Sequence, residues 1–90
     1  MEKNIDKTNT VTGIVYPAKW DSQGHVIAVV IDSTDEDQDE YFVSPGKKGA
    51  ELLQFLNKKI EAQGRISENE KGRLMIDVKS YNLIENIQVK

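Results

Sequence analysis

The sequence predicts a mainly β domain, five strands closed into a small barrel with one short helix between the third and fourth strands. Three observations predict it. Short runs of β-branched and aromatic residues alternate with polar, glycine-containing links, the pattern of a strand meander. One stretch, around Leu52–Leu56, changes from strand-like to helical spacing. The chain has 90 residues, room for one core and no second one. Five strands with one buried face are enough to curl and close over such a core.

The first strand is Thr10–Trp20 (TVTGIVYPAKW), rich in residues that suit a pleated surface. Gly13 lets it bend or bulge, and Pro17, which has no N–H for the ladder, belongs at an edge or a bulge. Asp21-Ser22-Gln23-Gly24 reads as a turn with Gly24 free to take positive φ. The second strand, His25–Asp32 (HVIAVVID), is apolar on both parities, Val26, Ala28 and Val30 on one side and Ile27, Val29 and Ile31 on the other. The third is short, Glu40–Ser44 (EYFVS). Pro45 and Gly46 then break the strand. Leu52, Leu53, Phe55 and Leu56 recur at helical spacing, so Lys48–Asn57 is expected as a helix of about three turns. Ser44 before Pro45 is a candidate cap, and Gly46 and Gly49 weaken the first turn enough to start it two or three residues later.

The fourth strand, Lys59–Ile66, sends Ile60, Ala62, Gly64 and Ile66 one way and Glu61, Gln63 and Arg65 the other. Ser67–Gly72 is a polar turn. In the fifth strand, Arg73–Ser80, Leu74, Ile76 and Val78 face inward and Met75 is the exception, an apolar residue on the polar parity. Residues 81–90 either extend that strand or pack outside it. The domain is expected over 10–83, with a polar tail at 1–9 and a second tail at 84–90.

In this order the helix plugs the open end of the barrel. The chain resembles the OB (oligonucleotide/oligosaccharide-binding) fold superfamily, in small bacterial-type form. The carrying residues are Val11-x-Gly13-x-Val15, Gly24, the helix Leu52–Leu56, Ile60-x-Ala62-x-Gly64-x-Ile66 and Gly72-x-Leu74-x-Ile76-x-Val78. The resemblance covers about residues 10–83, at the level of the fold. An SH3-like barrel is the rival, and it would not need the helix.

Composition narrows the chemistry. There is no cysteine, which excludes disulfides, thiolate metal sites and thiol nucleophiles and leans toward a reducing compartment. No apolar run is long enough to span a bilayer, and Met1–Thr10 is polar and unlike a signal peptide, so the expected location is cytoplasmic by default. His25, the one histidine, starts a strand beside a turn and reads as exposed to water rather than as a general base. Neither a phosphate-cradling glycine loop nor a dinucleotide fingerprint is present. The sequence therefore calls for no cofactor, no metal and no catalytic residue, and a non-enzymatic binding role is expected.

The net charge is −3, but Asp32–Glu40 (DSTDEDQDE) holds six acidic residues, leaving +3 on the other 81. That run fails the calcium-loop pattern, since counted from Asp32 the glycine position is Asp37 and the closing glutamate position is Val43. It reads as a solvated loop.

The OB resemblance implies a binding face on strands two and three, flanked by the first and last hairpins. Carried onto this chain, it draws on Tyr16, Lys19, Trp20, Tyr41, Arg65, Lys71, Arg73 and Lys79. Aromatic rings among cations would suit single-stranded nucleic acid. The acidic loop beside that face repels phosphate over roughly 8–10 Å, and an apolar second strand favours a protein partner, a peptide or a second copy of the chain. A protein-binding or self-association surface is the first expectation, single-strand nucleic-acid binding the alternative. Strand register decides which side chains face out, since a one-residue slip reverses the face.

Overall fold

The computed structural model describes residues 9–33 and 39–85. Five strands form one ring-closed sheet: β1 (Asn9–Trp20), β2 (Val26–Ser33), β3 (Glu40–Val43), β4 (Lys59–Glu68) and β5 (Leu74–Glu85). Between β3 and β4 lie one α-helical turn, α1 (Lys47–Glu51), and a 3-10 turn, Leu52–Phe55. The order around the barrel is β1-β2-β3-β5-β4, closed by β1 against β4. All pairings are antiparallel except β3 with β5, which is parallel and short, Phe42 with Met75 and Val43 with Ile76. Ser44 continues that seam by donating its N–H to the Ile76 carbonyl at 2.9 Å. This topology, with the helix between β3 and β4, is consistent with an OB-like fold. Among the described residues no helix is long and apolar enough to cross a membrane.

The barrel interior is filled from every long strand. Val11 and Val15 of β1, Val29 and Ile31 of β2, Ile60 and Ala62 of β4, and Ile76 and Val78 of β5 form one cluster. Leu52, wholly buried, enters it from the helical segment, and Leu53, Phe55 and Leu56 pack against it. The helical plug is thus as the spacing predicts, but shorter than Lys48–Asn57. It begins at Lys47 after Gly46, with no side-chain cap, tightens into a 3-10 turn and ends at Phe55. Asn57 takes a left-handed φ of 67° and cannot continue it.

β1 is bent so that its first half pairs with β4 and its second half with β2, and Gly13 sits in both ladders, opposite Ile60 and Ser33. A Cβ at Gly13 would overlap the Asp32 carbonyl, so glycine is required by close approach of the backbones. Beyond it, the register slips between Pro17 and Lys19 and again before Trp20, the bulge that Pro17 suggests. This slip reshapes β2. Val29 and Ile31 point inward, but Ile27, of the same parity, is 55% exposed, and Val26 packs on the core instead.

In the β4–β5 ladder, the slip between Gln63 and Gly64 of β4 lies opposite Lys79 of β5 and reverses the parity of β5 beyond it, so Tyr81 follows Val78 inward. β5 runs past Ser80 to Glu85, with Leu83 and Ile84 both more than 40% exposed. The expected tails lie mostly at residues 1–8 and 86–90, outside the described residues, as does the middle of the acidic run, 34–38.

Candidate binding face

The outer surface over β1, β2, β3 and β5 carries an apolar row set by register. Tyr16 stands opposite Val30, Val30 opposite Phe42, and Phe42 opposite Met75. Val30 alternates with inward Val29 and Ile31, so it points outward, yet it is only 7% exposed and lies outside the core cluster. Cross-strand neighbours this close cover one another. Phe42 and Met75 are half-buried and Tyr16 is 38% exposed. The Arg73 guanidinium lies 4.7 Å from the centroid of the Phe42 ring, a cation held on an aromatic face.

The row opens into a groove of about 300 Å³. Its walls are the start of β2 (Ile27, Ala28, Val29), the exit of β3 (Phe42–Ser44), the segment Pro45–Gly46, the residues Gly49, Ala50 and Leu53, and Met75. β3 first pairs with β2 at Val30, so Val26–Val29 are laddered to β1 but not to β3. The chain turns away at Pro45, and the groove is the space this leaves. Its lining is apolar apart from the Ser44 hydroxyl and Lys19, the one ionisable side chain, brought in by the β1 bulge.

The residues expected from sequence divide into four groups. Tyr16, Lys19 and Arg73 do surround the row. Trp20, 54% exposed, and Lys71 lie at the two hairpins. Arg65 and Lys79 flank Asp77 farther round the barrel. Arg65 stands opposite Asp77 in the ladder, and Lys79 pairs with it at 3.2 Å. Tyr41 is displaced from the outer face altogether. It is opposite inward Ile31 and packs against the core cluster, because β3 turns its odd residues inward. Sequence reasoning missed Phe42 and Met75, and it reached Val30 only as a member of one of the two possible outer parities of β2. The usable signal was Met75, an apolar residue where alternation calls for a polar one. Adjacent Tyr41 and Phe42 give a second, since two neighbours in a strand cannot both face the core.

At the first hairpin, the Asp21 carboxylate accepts hydrogen bonds from the backbone N–H groups of Gln23 and His25 at 2.8 and 2.9 Å. These donors, that of His25 foremost, hold its pKa below the ordinary carboxylate value. His25 Nδ1 is 3.4 Å from the same carboxylate, and its side chain is 73% exposed. Among the described residues, no group of three or more His, Asp or Glu side chains is placed to hold a metal ion.

No protein-family model matches the chain, and no curated protein matches it in sequence.

Proposed function

We propose that this OB-type barrel is a non-catalytic binding module that takes an apolar segment of a protein partner on the β2–β3 face. The observation that supports it best is the continuity of the row Tyr16–Val30–Phe42–Met75 with the apolar groove beside Val26–Val29, the part of β2 that β3 does not pair with. An extended chain gains apolar contact from such a row and backbone hydrogen bonds from a strand edge. Asp32 and Glu40 border the face and disfavour a polyanion there.

The second reading, single-stranded nucleic acid, has its own supporting observation. Arg73 on Phe42, near Tyr16, supplies a cation and two rings on the face where OB barrels bind strands.

An NMR titration separates the two. One probe is a pool of peptides of about ten residues with apolar centres; the other is oligothymidine of about ten nucleotides. The expected result is shift changes at Tyr16, Val30, Phe42 and Met75 with the peptides, persisting at physiological salt. Changes only with oligothymidine, vanishing as salt rises, would transfer the face to nucleic acid. Concentration-dependent changes at the same residues with no additive would assign it to a second copy of the chain.

A further inference from the structure

We infer that the partner segment carries opposite charges on the two sides of its apolar centre, an acidic residue at one end and a basic residue at the other. This rests on the peptide reading of the β2–β3 face. Three steps along the outer parity of β2 carry it. Ala28 stands opposite Lys19, Val30 lies between Tyr16 and Phe42, and Asp32 stands opposite Glu40. The face therefore runs cation, apolar, anion. From Ala28 to Asp32 is four residues of strand, about 13 Å.

Two further facts give the ladder its meaning. Among the described residues, Lys19, Asp32 and Glu40 have no ion-pair partner. Asp32 and Glu40 are like charges directly opposite one another, an arrangement that costs stability in a sheet and is relieved by an incoming cation. The acidic end continues in sequence into the run Asp32–Glu40, while Lys19 is the one ionisable group in the groove at the other end. An extended segment presents its residues i, i+2 and i+4 on one side over the same 13 Å or so. Its matching form is acidic, apolar and basic at those positions, in either chain direction.

The test uses labelled peptides with a central leucine and, two residues to each side, Glu with Lys, Glu with Glu, Lys with Lys, or Ser with Ser. Anisotropy against the whole chain should show the Glu–Lys peptide binding about five- to tenfold more tightly than either single-sign peptide. Lys19→Glu makes both ends of the β2 row acidic, leaving Arg73 over Phe42 unchanged, and should move the preference to Lys–Lys. Asp32→Lys with Glu40→Lys makes it basic and should move the preference to Glu–Glu. Equal binding of all four by the unaltered chain would overturn the charge inference and leave the apolar face standing. Binding of none would overturn the peptide reading itself, and oligothymidine binding in its place would assign the face to nucleic acid.

Discussion

Asp21 and Asn69 fold two separate hairpins in the same way. Each side-chain oxygen accepts from the backbone N–H groups two and four residues on, at 2.8 and 2.9 Å. Each backbone N–H reaches the carbonyl four residues on at 2.9 Å, His25 in one case and Arg73 in the other. The third residue after each is a glycine at positive φ, 88° for Gly24 and 81° for Gly72. The chemical difference is that one turn is closed by a titratable group and the other is not.

That difference predicts an acid dependence confined to one hairpin. The folded pKa of Asp21 lies below its ordinary value of 3.8. Its contribution is therefore fully present above that value and is lost as pH falls through the lowered folded pKa. Asp21→Asn should keep the turn, as Asn69 does, and remove this part of the pH dependence. Urea midpoints at neutral pH and near pH 3 measure it. An unchanged acid dependence in the variant would refute the assignment.

The plug gives a second prediction. Tyr81 donates to Glu51 Oε1 at 2.6 Å, and its ring meets Phe55 edge-on with centroids 5.7 Å apart. The nearby carboxylate, chiefly by accepting that hydrogen bond, pushes the phenol above its ordinary range. Tyr81→Phe should cost about 1 kcal/mol, the net worth of one partly exposed hydrogen bond. Leu52→Ala, which empties a fully buried site under the same segment, should cost about 3 kcal/mol. Denaturation midpoints rank the two, and an equal loss would mean the helical segment is held by its polar contact rather than by packing.

Gly13 predicts a steep local sensitivity. A methyl group there meets the Asp32 carbonyl and the Ile31 side chain, both fixed by the β1–β2 ladder. Gly13→Ala should cost about 3 kcal/mol through forced backbone displacement. Gly46→Ala, where a Cβ meets nothing within 4 Å, should stay within about 0.5 kcal/mol. Thermal unfolding of the pair checks the contrast.

The fold was legible where local chemistry and periodicity agree. Gly24 and Gly72 mark real turns, Ile60, Ala62 and Gly64 all face in, and the helical spacing at Leu52–Leu56 does yield the plug. The outer face was legible only in part. Which of Tyr41 and Phe42 faces out is set by β3's register on β2, across a link whose length a local pattern does not fix. Ile27 is exposed despite its parity with Val29, because it is the extra residue of β2 where Lys19 and Trp20 pair with Ala28 and Val26, a slip that alternation within β2 does not show. Charge alone could not rank the cations either. Lys79 is paired with Asp77, whereas Lys19 is carried into the groove.

Arg73 offers the sharpest separation of the two readings of the face. Its guanidinium lies on Phe42, and at an exposed site such a contact is worth about 0.5–1 kcal/mol. Arg73→Gln should therefore lower stability by no more than that, while uncovering the Phe42 ring. If the ring serves an apolar segment, affinity for apolar-centred peptides should hold or rise. If Arg73 instead serves a phosphate, oligothymidine affinity should fall and its logarithmic salt slope should shrink by about 1. Parallel titrations of the two probes against the same variant decide it, because only the nucleic-acid reading expects a loss of affinity.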